Sequence, residues 1–245
     1  AAVVKDQAGE ALLESYTGER APIAKQIVTR ANQSITEFGP IFEALGMTGG
    51  TEIEQIKANM DARCGATPDA EAQRDALNAA IAFKKYEFDA HGVEMNQRYT
   101  SKATVTDGQI EPDFALDADL HYQPTTWPGA RIPHAWLFDE AGEKHSTLDL
   151  AGGGVFTVFT GLGGRAWADA AKVVSEKFGI KIHAHIIGPR QEYVDHTGDW
   201  ARAREVGDAG CILTRPDQHV CWRHEGTAGD PTLELTRVMT AILAR

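Results

Sequence analysis

Cysteine is scarce in this chain: Cys64, Cys211 and Cys221 are its only three, widely spaced along the sequence. That excludes the dense disulfide framework of a small secreted domain, and no charged stretch followed by an apolar one opens the sequence as a secretory leader would, so the expected compartment is the cytoplasm. Positive charge is short as well, with 24 basic against 35 acidic residues and a net charge of -11. A face able to neutralise a nucleic-acid backbone has to be basic, so that class of partner is disfavoured. No apolar run approaches the roughly 20 residues of a membrane-spanning helix, and Phe156 to Phe159 has the length of a strand. Gly-x-Ser-x-Gly is missing, and Ser15, Ser34, Ser101, Ser146 and Ser175 stand in no catalytic signature, which argues against a self-contained hydrolase. An initiator methionine is missing too. The chain starts Ala1, Ala2, Val3, Val4 and runs into Leu12, Leu13 and Tyr16 without helix-start chemistry, as expected of a piece of something longer.

What is present reads as an ordinary globular α/β protein, with 42% hydrophobic and 24% charged residues, enough for one large domain or two small ones. From Pro22, suited to a first helical turn, Ile23, Ile27, Ala31, Ile35 and Phe38 recur at helical spacing. Gly39 and Pro40 end or kink that helix, and Ile41, Phe42 and Leu45 continue it briefly until Gly46 closes it. Thr51 to Ala62 and Asp69 to Ala90 read as two more helices, the second with Leu77, Ile81 and Phe88 available for burial. The first 105 residues therefore read as a mostly helical segment whose apolar faces need a partner surface. Residues 106–121 follow as an acidic linker. Asp107, Glu111, Asp113, Asp117 and Asp119 lie there with Gly108 and Pro112 and no basic residue, the composition of a solvated connector. Their spacing is not that of a calcium loop.

Residues 122–245 change period. Val155 to Thr160 and Ile180 to Ile187 read as strands around a helix marked by Trp167, Ala170, Ala171, Val174 and Phe178 and ended by Gly179. Cys211 to Thr214 and His219 to Arg223 flank a turn, and Asp230 with Pro231 caps a last helix that turns Leu235, Val238 and Ile242 inward. This βαβ then ββα order is that of a thioredoxin-like domain, but the Cys-x-x-Cys motif is absent. If Pro216 and Asp217 form a two-residue loop, Cys211 pairs with Trp222 and Cys221 with Ile212, with the thiols on opposite faces. Buried, unreactive cysteines follow.

Three patterns invite a ligand. Ala151 to Gly154 precedes a strand rather than following one, and Gly161 to Gly164 follows a strand but fits neither dinucleotide nor P-loop spacing, so both read as turns. His183 and His185 share a strand face and could chelate a metal; His196 is the nearest third candidate in sequence, and a half-exposed strand is the simpler account.

Four segments carry a family resemblance. LLESYTGERAPIAKQIV at Leu12 to Val28, WPGARIPHAWL at Trp127 to Leu137, STLDLAGGGVFTVFTG at Ser146 to Gly161 and ILTRPDQHVCWR at Ile212 to Arg223 occur in that order. They resemble the C-terminal portion of the single-component FAD-dependent aromatic (phenol) hydroxylases, with the chlorophenol branch as the best match. Gln218 departs from the pattern, standing where many members carry glycine. The family's GxGxxG, Asp-Gly and Gly-Asp flavin motifs cannot be mapped onto the chain. The resemblance implies a complete enzyme that takes electrons from NADPH onto FAD, activates oxygen there and hydroxylates a phenol ortho to its oxygen. It implies a homo-oligomer, and a C-terminal portion with no catalytic, cofactor-binding or metal residue of its own. Trp127, Pro128, Gly129, Arg131, Pro133 and His134 are then expected to fix how the thioredoxin-like part docks. The rival reading is a non-catalytic oligomerisation or docking module; a metal enzyme on His183 and His185 is the third.

Overall fold

A computed structural model describes residues 2–245. Seven helical elements come early: α1 Glu14–Thr36, α2 Gly39–Ala44, α3 Ile53–Ala62, α4 Pro68–Phe83, α5 Lys85–Phe88, α6 His91–Met95, and α7 Thr147–Leu150 after the hairpin of β1 Trp136–Phe138 and β2 Lys144–Ser146. Then follow β3 Phe156–Thr160, α8 Arg165–Phe178, β4 Ile182–Ile186, α9 Asp199–Ala203, β5 Cys211–Thr214, β6 Val220–His224 and α10 Pro231–Ile242.

The helical segment differs from its sequence reading in orientation. α1 begins at Glu14, so Pro22 lies inside it rather than in the first turn, and its missing N–H removes one helical hydrogen bond. The apolar stripe faces outward: Ile27, Ile35 and Phe38 are 49%, 73% and 40% exposed, whereas Glu19 and Glu37 are buried. The rest of this chain offers α1 polar partners. Lys84 reaches the Ser34 carbonyl, Arg30 reaches the Asp89 carbonyl and Asp119, and Gln26 donates to Asp119 at 2.8 Å. The single helix expected over Asp69 to Ala90 is broken into α4 and α5. α4 is well started, with Thr67 accepting from the Ala70 N–H and Pro68 beside it.

The stretch 106–121 is not a bare solvated run. Asp107 takes a hydrogen bond of 2.6 Å from Arg223, Glu111 meets Arg98 at 3.1 Å, Asp119 meets Arg30 at 3.4 Å, and Asp117 accepts from Tyr86. Between Thr106 and Asp119 the sequence holds no basic residue, but the fold brings these donors from elsewhere.

The α/β part forms a four-stranded sheet in the order β4-β3-β5-β6, with β3 parallel to β4 and antiparallel to β5, and β5 antiparallel to β6. This is the predicted βαβ–ββα arrangement. Neighbouring residues of β3 point to opposite faces. Val158 packs with Trp167 and Val174 of α8 and Leu235, Val238 and Met239 of α10. Phe159 packs with Leu137, Trp200 of α9, Ile212 and Val220. Asp230 caps α10 by accepting from the Leu233 N–H, and Gly179 ends α8 at φ 63°.

The β5–β6 turn corrects one expectation. Arg215 N–H donates to the His219 carbonyl at 2.7 Å and Gln218 N–H to the Arg215 carbonyl at 3.0 Å, with Gln218 at φ 70°, so the loop is Pro216, Asp217 and Gln218. An irregularity between Leu213 and Thr214 pairs Leu213 with Trp222 and Thr214 with Val220, leaving Cys221 as the extra residue. Cys211 therefore opposes His224, not Trp222, and Cys221 does not pair with Ile212. Both thiols lie in the core covered by α8 and α10. They are free, and burial pushes both far above the usual thiol range, so they are inert. Among the described residues no helix is long and apolar enough to cross a membrane.

Candidate functional site, an ionic seam between the motif segments

The motif segments meet at buried charges. Glu19, in the E-R-x-P turn of α1, and Arg215, opening the R-P-D turn after β5, are both buried. Arg215 donates through both terminal nitrogens to both Glu19 oxygens, the longer bond being 3.0 Å, and also binds Asp217. Ser101 adds a 2.6 Å hydrogen bond to Glu19. Burial opposes the Arg215 charge, but the two carboxylates outweigh it and raise its pKa. Burial likewise opposes the Asp217 charge; hydrogen bonds from His219 and Arg215 win and depress its pKa below the carboxylate range.

Aromatic and backbone contacts thicken this pair. Arg20 donates to the Tyr99 hydroxyl at 2.6 Å, Tyr99 stacks on His219 with ring centroids 4.4 Å apart, and the Arg215 guanidinium sits 5.5 Å from the Tyr99 centroid. Gly129 is required where it stands. Its φ is 105°, and a Cβ there would overlap the Tyr99 carbonyl.

Two more junctions complete the seam. Arg131 donates to the Gln218 side-chain oxygen at 2.6 Å, and the Gln218 amide donates to the Leu148 carbonyl at 2.8 Å, tying three motif segments together. Arg223, buried below the Trp127 ring at 5.3 Å, donates to Asp107, to Glu205 at 2.8 Å, to Thr126 and to Gln109. One Glu205 oxygen also accepts from the Thr125 hydroxyl and the Thr126 N–H, and Glu205 itself stands at φ 54°. Of the sequence-nominated residues, Trp127, Gly129 and Arg131 join the seam directly, and Pro128 and Pro133 are buried beside it. His134 does not: it is exposed, hydrogen-bonded to Ser146 at 2.7 Å and set edge-on to Trp136. Glu19, Arg215 and Glu205 were not nominated. The first two stand inside quoted motifs, but nothing local says that they touch.

The ligand-like patterns resolve as structure. Gly163 donates its N–H to Asp208 at 3.1 Å, a Cβ at Gly161 would strike Asp208, and Arg204 holds Asp208 at 3.3 Å, so the turn that leads into α8 is filled by this chain's own carboxylate. Gly152, Gly153 and Gly154 all have positive φ and form the turn into β3. The rings of His183 and His185 lie 6.3 Å apart; among the described residues no third ligand joins them, and His196 packs on Phe138 instead.

The sheet order, the cysteine-free corner and the seam define a thioredoxin-like α/β domain tied to a helical segment through buried ion pairs. Residues 125–245 match the family model described as aromatic-ring hydroxylase, C-terminal. It is 50% identical to phenol 2-monooxygenase of Pseudomonas sp. (strain EST1001) over 98% of its length, and 48% identical to 2,4-dichlorophenol 6-monooxygenase of Cupriavidus pinatubonensis over 100%. It spans 39% and 41% of those relatives. Among solved structures, the flavin-dependent monooxygenase PieE, in complex with FAD and substrate, is 40% identical with a TM-score of 0.91, over 99% of this chain and 42% of that one.

Proposed function

We propose that this chain is the C-terminal portion of an FAD- and NADPH-dependent phenol monooxygenase that converts phenols, chlorophenols among them, to catechols with O2, and that this portion is structural. The observation that carries the reading is α1, which buries Glu19 against this chain and, with the residues that follow it, turns Ile27, Ile35 and Phe38 outward. An apolar stripe of that size belongs against another surface. Residues 1–105 complete the flavin and substrate region, 106–121 connect, and 122–245 form the thioredoxin-like domain. The parent is a cytoplasmic homo-oligomer. Asp208 fills the glycine corner at Gly161 to Gly164, which supports a portion that does not itself cradle the flavin phosphates there.

The test is a titration of the 245-residue chain with FAD, followed by flavin fluorescence, and then addition of NADPH and a chlorophenol. The expected result is no binding and no turnover, with both restored when the chain replaces the matching part of the Pseudomonas relative. Stoichiometric FAD binding by the chain alone overturns the reading. A bare oligomerisation module, favoured by the same exposed stripe, predicts instead a chimera without turnover.

A further inference from the structure

We propose that Asp139, Glu143 and His145, on the β1–β2 hairpin, form a binding site for a divalent transition-metal ion of the Zn2+ or Co2+ class. The hairpin places Asp139 just past β1 and His145 inside β2, with Leu137 opposite His145 and Phe138 opposite Lys144. Gly142, at φ 80°, and the bonds Asp139 N–H to Glu143 carbonyl (3.1 Å) and Gly142 N–H to Asp139 carbonyl (3.0 Å) close the turn. One potential ligand atom from each of the three side chains lies within 4.8 Å of the others.

Their chemistry and spacing suit a borderline cation. Two carboxylates and an imidazole are ligands such ions take. The Glu143 N–H pins one Asp139 oxygen at 2.8 Å, which leaves the other facing His145 Nε2 at 3.0 Å. Ligands set at right angles on an ion with bonds of about 2.1 Å are themselves about 3 Å apart, so this pair already has a chelating bite. The Tyr193 ring packs edge-on against the imidazole at 5.4 Å and fixes its plane. Glu143 is exposed, and its carboxylate has no hydrogen bond or ion pair among the described residues, so it is free to close on an ion. Charge favours occupation as well. Lys144 is drawn away over the Trp136 ring at 4.1 Å, and among the described residues no lysine or arginine pairs with Asp139 or Glu143.

A plain Asp139–His145 hydrogen bond that merely closes the hairpin has no use for the Glu143 side chain, and this separates the two accounts. Chelator-washed protein is titrated with CoCl2 while the visible d–d bands are followed, and with ZnCl2 by calorimetry. A single saturable site is expected, weakened about tenfold or more by Glu143→Gln and by His145→Ala, and unaffected in a His183→Ala/His185→Ala double variant. Glu143→Gln removes no hydrogen bond of the fold, so its circular dichroism matches the parent. Unchanged cobalt binding by that variant, no saturable site at all, or loss of binding only in the His183/His185 variant overturns the proposal.

Discussion

Gln218 holds a left-handed backbone that costs a non-glycine residue roughly 1–2 kcal/mol, and it offsets this with hydrogen bonds to Leu148 and from Arg131. Gln218→Ala keeps the backbone cost and loses both bonds, so we expect it to destabilise by about 2 kcal/mol, with Gln218→Gly milder than Ala by about 1 kcal/mol. Urea denaturation of the three proteins gives that order directly, and a glycine variant less stable than alanine refutes the account. Glu19→Ala takes one of two carboxylates from buried Arg215, which keeps Asp217, and is expected to cost about 1.5–3 kcal/mol, the worth of a hydrogen bond to a charged group. A Glu19→Leu/Arg215→Met double variant should recover most of that loss in the same assay. Asp217 sets an acid limit. Its folded-state pKa lies below the unfolded one, so its stabilisation is complete above roughly pH 4 and lost as pH falls further through the folded value. In Asp217→Asn that part of the pH–stability curve should flatten.

At the scale of elements, legibility follows how local the determining physics is. The α8 stop at Gly179 and the α10 start at Asp230 and Pro231 were readable because a cap acts within a few residues. The strands β3, β5 and β6 were readable for the same reason, as short apolar runs bounded by turns. The face of α1 was not. Periodicity locates an apolar stripe but not what lies beside it, and the partners that draw the polar side inward, Arg215, Lys84 and Asp119, are supplied by distant parts of the chain. The three-residue turn escaped because one left-handed glutamine and one extra residue, Cys221, shift the pairing. An outward Ile35 makes a direct prediction: Ile35→Lys should change the stability of this chain by no more than about 0.5 kcal/mol. In a chimera with the relative's upstream part, the same change should impair flavin retention.

Across the whole molecule, the quoted motifs turn out to be the two sides of shared contacts. Glu19 of the first segment meets Arg215 of the last, and Arg131 of the second reaches the third through Gln218. The motifs could be read one by one, whereas their pairing depends on topology that no single segment encodes. Buried bonds across this distance also make the helical and α/β parts stand or fall together, and we expect chemical unfolding to show coincident tryptophan-fluorescence and circular-dichroism transitions.

The filled corner at Gly161 to Gly164 has a consequence for protein engineering. Grafting two cysteines there would place them where oxidoreductases of this architecture carry theirs, yet a thiol at Gly161 would face the carboxylate of Asp208. A nearby negative charge disfavours thiolate formation. A working dithiol on this scaffold would therefore need Asp208 replaced as well as the cysteines introduced.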